Sequence, residues 1–154
     1  MSVDETLNEL LVRMFKDLME IEERCLITED YKDISNNDMH IIEAVGVDEP
    51  KSMSAIAKLM SVTTGTLTRA MDALSEKGYV VRSRSKTDKR VVEVSLTERG
   101  QKAYRHHEQF HRNMIEHIKD GMNEQETAVL IYALAKLADY FQELYHSQLE
   151  EVKM

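Results

Sequence analysis

Residues 52–97 read SMSAIAKLM-SVT-TGTLTRAMDALSEKG-YVVRSR-SKTDKR-VVEVSLT. Ser52 is a natural N-cap for a short helix over Ala55–Met60, because its hydroxyl accepts from a backbone N–H that the first helical turn leaves unpaired. In that helix Ile56 and Leu59 are expected to face inward. Ser61-Val62-Thr63 form a turn, and Thr63 caps a second helix in which Leu67, Ala70, Met71 and Leu74 recur at helical spacing, so they face a core. Gly78 is its expected stop. Tyr79–Arg84 and Val91–Leu96 are β-branched runs joined by Ser85–Arg90, a hairpin with a basic tip. Helix, tight turn, helix, strand, basic loop, strand is the layout of a winged helix-turn-helix, whose second helix enters the major groove of DNA.

Once the apolar face of the second helix is set aside, Thr64, Gly65, Thr66, Thr68 and Arg69 are left pointing outward at its start. Small hydroxyl side chains and one arginine suit a groove floor, where they meet base edges and thymine methyls; the helix N-terminal N–H groups favour phosphate. Ser52 and Thr63, the caps, sit beside them. The hairpin adds Arg82, Arg84, Lys86, Lys89 and Arg90, with Asp88 among them.

Charge is segregated along the chain. The 154 residues carry a net −8, yet residues 51–90 hold nine Lys/Arg against three Asp/Glu. Residues 1–50 hold four against fourteen, and residues 91–154 seven against eleven. A phosphate backbone responds to the local field, since salt screens beyond about 10 Å. The basic block coincides with the winged motif, which weighs against a merely solubilising surface.

Outward from the motif the pattern is helical. Residues 4–27 place Leu7, Leu10, Leu11, Met14, Phe15, Leu18 and Ile21 on one stripe, with Glu20, Glu22, Glu23 and Arg24 gathered on the polar face at its end. After a polar break over residues 28–33, Ser35 and Asp38 form a capping box for a helix carrying Met39, Ile41, Ile42 and Val45, stopped by Gly46 and Pro50. Thr97 caps a helix to about Asp120, with Tyr104, His107, Phe110, His111, Met114 and Ile118 near one face. Gly121 ends it. Asn123 and Glu126 form a second capping box, and the last helix runs to about Leu149 with a broad apolar face including Val129, Leu130, Leu134, Leu137, Phe141 and Leu144. So much apolar surface exceeds what a small winged lobe covers, and a helical homodimer interface is the economical solution. The expected organisation is one mostly α domain over residues 1–154 with a small β-hairpin wing: a DNA-binding lobe at 33–97 and dimerisation helices at 4–30 and 98–150.

The composition fits a single domain long enough to bury a core. No apolar run approaches the roughly 18 residues needed to span a bilayer. The acidic start, MSVDETLNEL, resembles neither a signal nor a transit peptide. A single cysteine, Cys25, excludes an internal disulfide framework and suits a reducing cytoplasm. Its acidic neighbours Glu20, Glu22 and Glu23 disfavour a thiolate, so an inert thiol is expected rather than a peroxide sensor. There is no glycine-rich phosphate loop, G-x-S-x-G elbow or H-E-x-x-H run, so no enzyme and no required cofactor are expected.

The order of elements, with Leu74-x-x-x-Gly78-Tyr79-Val80-x-Arg82 and Asp88-Lys89-Arg90-x-x-x-x-x-Leu96-Thr97-x-x-Gly100, resembles the MarR family of bacterial transcription regulators. The resemblance implies a triangular homodimer joined through its terminal helices, with two winged lobes on a pseudo-palindromic operator. It implies that Arg90 reaches into the minor groove from the wing tip while Asp88 shapes that tip. The family's usual Asp-Arg-Arg stands here as Asp-Lys-Arg, which makes Lys89 a phosphate contact rather than a bidentate reader.

Two branches of the family are similar in finer detail. Asp33-Ile34-Ser35 with Met39-His40, Val62-Thr63-x-Gly65-Thr66, Val91-Val92, Phe110-His111-x-x-Met114 and Asp120-Gly121-Met122 resemble the Gram-positive fatty-acid-synthesis repressors. That likeness implies a repressor whose effector is long-chain acyl-acyl carrier protein, with an apolar pocket that Met14, Met39, Met71 and Met114 would suit; methionine at helical spacing is more often plain core. Glu22, His40, His107 and His111 resemble ligands of the zinc-sensing branch, and His107 and His111 are four apart on one helix. That second likeness implies a Zn²⁺-responsive regulator as the alternative.

Overall fold

The computed structural model describes residues 1–153; the side chains of Leu149, Glu150, Val152 and Lys153 are outside the described set, as is all of Met154. Residues 1–111 make one compact unit and residues 112–154 another. Helix α1 (Val3–Leu26) starts from Ser2, whose hydroxyl accepts from the Glu5 N–H while the Glu5 carboxylate accepts from the Ser2 N–H. This capping box was not anticipated. A 3-10 turn at Glu29–Tyr31 leads to α2 (Asn36–Val45), opened by the expected Ser35–Asp38 capping box and closed at Gly46, whose φ of 72° is the left-handed value glycine tolerates.

The reading motif folds as its pattern dictates. Strand β1 (Lys51–Ser52) precedes α3 (Met53–Met60), capped by Ser52; α4 (Thr64–Glu76) is capped by Thr63. Strands β2 (Val80–Arg84) and β3 (Val92–Leu96) pair antiparallel, with Arg82 opposite Val94 and Arg84 opposite Val92. The sheet order is β1-β3-β2. The hairpin was legible, but β1 was not: it is two residues long, too short to show alternation, and it exists only because β3 offers its second edge at Lys51–Val94 and Ser52–Glu93.

Under this sheet lies the core of the first unit, built from Ile34, Met39, Ile41, Ile42, Val45, Ile56, Ala57, Leu67, Met71, Leu74, Tyr79, Val80, Val94, Leu96 and Ala103. Leu59 is a correction: it was expected inside, and it is exposed. α3 has only two turns, and its inward face is taken by Ile56, Ala57 and the partly buried Met60, leaving Leu59 off that face.

Helix α5 (Glu98–Asp120) follows Thr97, whose hydroxyl accepts from the Gly100 N–H and donates to the Gly78 carbonyl. A Cβ at Gly100 would lie 2.0 Å from the Tyr79 carbonyl oxygen, so only glycine lets this helix start against that backbone. Helix α6 (Glu124–Lys153) opens on the expected Asn123–Glu126 box and runs past the anticipated end near Leu149. No described helix is long and apolar enough to cross a membrane.

Candidate nucleic-acid interface

Two elements of the first unit present the residues singled out in the sequence. At the start of α4, Thr64, Gly65, Thr66, Thr68 and Arg69 are all exposed, while Leu67 and Met71 are buried beneath them. Thr63 caps the helix by accepting from the Thr66 N–H at 3.1 Å and donates its hydroxyl to Thr66 Oγ1 at 2.9 Å. Thr68 donates to the Thr64 carbonyl at 2.8 Å. These local bonds fix the hydroxyl rotamers before any partner arrives. A Cβ at Gly65 would meet only Thr63 Oγ1, at 4.0 Å, so nothing inside the chain requires glycine there. Its effect is outward, leaving the backbone bare for close approach.

The wing stands beside this helix. Arg82 on β2 pairs with Asp72 on α4 at 2.5 Å, tying strand to helix. A cleft of about 410 Å³ separates the two elements, lined by Ser52, Ser54, Thr64, Thr68, Arg82 and Arg90 among others. Met53, Val91 and Val92 complete the lining, so four hydroxyl-bearing residues and two arginines border a cleft whose surface is largely apolar. At the tip Arg90 is almost wholly exposed, and its backbone N–H and Nε both donate to Asp88 Oδ1, at 3.1 and 3.2 Å. Arg84 NH1 donates to the Lys89 carbonyl at 2.8 Å. Lys86 and Lys89 lie in the same turn between the strands.

Glu22, His40, His107 and His111 also come together, on α1, α2 and α5. Glu22 was expected on the polar face of α1; instead it is one of only two buried residues of that helix, with Leu26. Its carboxylate accepts from Asn36 Nδ2 at 3.2 Å and lies 3.6 Å from His40 Nε2 and 3.5 Å from His111 Nε2. His107, 2% exposed, shares a 3.1 Å hydrogen bond between its Nε2 and that of His111, and its Nδ1 is 3.7 Å from Glu43 Oε2. Burial pushes the His107 imidazole below its ordinary range; Glu43 and Glu22 oppose this, and His111 and His40 add to it. Among the described residues no group of three or more His, Cys, Asp or Glu side chains is placed to hold a metal ion, so the zinc expectation is not supported. In this structure the His107 and His111 Nε2 atoms are hydrogen-bonded to each other and the Glu22 carboxylate is shared among Asn36, His40 and His111. The cluster joins three helices.

A second polar network, around Tyr79, has no local signature in the sequence. Tyr79, fully buried, donates to Asp33 Oδ1 at 2.7 Å; Arg99 NH2 donates to Asp33 Oδ2 and to the Tyr79 hydroxyl, both at 3.0 Å, with its guanidinium 4.5 Å over the Tyr79 ring. Lys77 donates to the Asp33 carbonyl at 2.6 Å. Burial, reinforced by the hydrogen bond to Asp33, pushes the Tyr79 phenol up to about 12. The partners lie 46 and 66 residues apart in pairs, beyond any local pattern. Cys25 is exposed, with its thiol outside both networks.

A capped helix with bare small residues at its start, braced to a cationic β-hairpin, defines a winged helix-turn-helix protein. The MarR family model matches residues 34–92. The HTH-type transcriptional regulator YpoP of Bacillus subtilis is 30% identical over 106 residues, spanning 69% of this chain and 75% of that one. Among solved structures, Streptococcus pneumoniae FabT in complex with DNA superposes with a TM-score of 0.86 at 38% identity, covering 91% of this chain and 98% of FabT. The S. aureus MepR–DNA complex, at 18% identity and a TM-score of 0.69 over 86% and 96% of the two chains, shares the fold. The chain belongs to the MarR family of transcriptional regulators.

Proposed function

We propose that this protein is a sequence-specific DNA-binding repressor of fatty-acid synthesis genes. It works in the cytoplasm as a homodimer on a pseudo-palindromic operator, and long-chain acyl-acyl carrier protein tightens its grip. The observation that carries the reading is the likeness to FabT, a protein solved on DNA, over nearly the whole of both chains. The geometry supports the DNA part independently. Thr64, Gly65, Thr66, Thr68 and Arg69 enter the major groove with Thr63 and Ser52 at its edge, Lys86 and Lys89 contact phosphates, and Arg90 reads the minor groove from a tip shaped by Asp88.

Titration of promoter fragments from fatty-acid synthesis genes, with and without long-chain acyl-acyl carrier protein, tests the reading. Specific binding that strengthens with the acylated carrier, and not with the unacylated one, is expected. Binding to those promoters no tighter than to unrelated duplex would remove the fatty-acid assignment.

A further inference from the structure

The wing loop is built more tightly than a cationic surface turn requires. Lys86, Lys89 and Arg90 crowd into six residues with Arg84 at their edge and Asp88 alone to offset them, and an excess of like charge so close favours a spread loop. The loop is nevertheless closed. The Ser85 N–H donates to the Val91 carbonyl at 2.9 Å, and the Val91 N–H to the Asp88 carbonyl at 3.0 Å. Ser85 is 5% exposed, the one buried polar residue of the hairpin. Its Oγ takes N–H bonds from Thr87 at 3.3 Å and Asp88 at 3.4 Å and shares a third, 3.0 Å, with Thr87 Oγ1. A hydroxyl has one donor and two acceptor sites, so these three contacts use its full capacity. On the other side of the turn Arg84 holds the Lys89 carbonyl.

We propose that Ser85 and Arg84 are positioning residues that lock the wing loop in the shape presenting Lys89 and Arg90, Ser85 from inside the turn and Arg84 through the Lys89 carbonyl rather than through a phosphate. The inference rests on the DNA-binding reading for its consequence, not for its geometry. A buried serine hydroxyl cannot reach a groove. What it does is remove the loop's freedom in advance, so that binding does not have to order it. This assigns Arg84 a different role from the direct contact its charge implies.

Two measurements test it. Residue-resolved amide hydrogen exchange on the DNA-free protein should show residues 87–91 protected, and Ser85→Ala and Arg84→Gln should each speed exchange there while leaving α4 unchanged. Operator titration over a range of salt should show Ser85→Ala weaker by about tenfold, the size expected when the Thr87 and Asp88 N–H groups lose their acceptor and the loop must be ordered on binding, with the slope of log K against log salt unchanged. An unprotected loop in the unaltered protein, or Ser85→Ala exchanging and binding as the unaltered protein does, overturns the proposal. For Arg84→Gln, exchange left unchanged with a slope reduced by about 1 makes Arg84 a phosphate contact and overturns its part. Arg84 is exposed, so its variant folds even if Ser85→Ala does not. Should the unaltered protein bind no duplex at all, the functional reading fails while the exchange experiment still decides the lock.

Discussion

Arg90 and Lys86 carry the same charge on the same loop, but the Asp88 contacts of Arg90 and the chemistry of the two side chains predict different work. Arg90 is held at both its backbone and its Nε by Asp88, which aims a planar guanidinium outward. A planar donor so aimed can read a groove; a lysine on a flexible stem mostly neutralises phosphate. Arg90→Ala should therefore weaken operator binding by about 1–3 kcal/mol and relax discrimination at the base it reads. Lys86→Ala should lower the salt slope by about 1 and leave sequence preference alone. Salt-dependent titrations on operator and scrambled duplex separate the two, and identical behaviour would collapse the distinction. Tyr79 is a residue-scale test of another kind. Its phenol titrates near 12 in the fold and near 10 in an unfolded chain, so the folded state holds the proton longer. Its contribution is complete below about pH 10 and lost as pH rises towards 12. Alkaline denaturation of Tyr79→Phe should be flatter over that window than that of the unaltered protein, with part of the stability near pH 7 already lost because Arg99 and Asp33 lose a partner.

At the scale of elements, Gly100 explains why a family signature extends past the wing. α5 begins against the backbone of Tyr79, and a methyl group there would sit 2.0 Å from a carbonyl oxygen. Neither backbone can yield without shifting β2 or the start of α5, so Gly100→Ala should destabilise the first unit by about 1–3 kcal/mol, read as a lowered unfolding midpoint. An unchanged midpoint would mean the helix start is free to move. The same junction shows where sequence reasoning stopped. Caps at Ser35, Ser52, Thr63 and Asn123 and the buried face of α4 were legible because each is a rule about residues three or four apart. The exposure of Leu59, the two-residue β1 and the burial of Glu22 were not, since each depends on what another element presents. Periodicity puts Glu22 in the acidic run on the polar face of α1, and only the family resemblance grouped it with His40, His107 and His111; Asn36, His40 and His111 from α2 and α5 make the place for it. At the candidate interface the exposed residues of α4 could be chosen from residue type and phase, whereas Ser85, small and neutral, carried no signal beyond a turn propensity.

On the scale of the molecule, the largest unexplained quantity is apolar surface. Along α1, Leu7, Leu10, Met14, Leu18 and Ile21 are 38–56% exposed, and on one face of α6 Leu134, Phe141 and Leu144 are 42–47% exposed. Scattered apolar residues are ordinary on a surface, but two contiguous stripes on the terminal helices are not. In the dimer reading a second copy of the chain covers such stripes, since a two-fold axis sets each patch against a copy of the same surface. The axis also matters for DNA. One winged lobe covers a half-site, and a pair spaced by a helical turn, about 34–36 Å, reads both halves of a palindrome with the affinity gain of linked binding, about 10²–10⁴-fold. Replacing Leu10 and Leu18 together by lysine puts charge into the stripe without touching the core of the first unit. The double variant should run as a single chain by light scattering, keep its helical content, and lose at least a hundredfold in affinity for a full operator while binding an isolated half-site as before. A variant that stays dimeric would move the interface off α1, and an unaltered protein that is itself monomeric would leave the palindromic operator without a reader of matching symmetry.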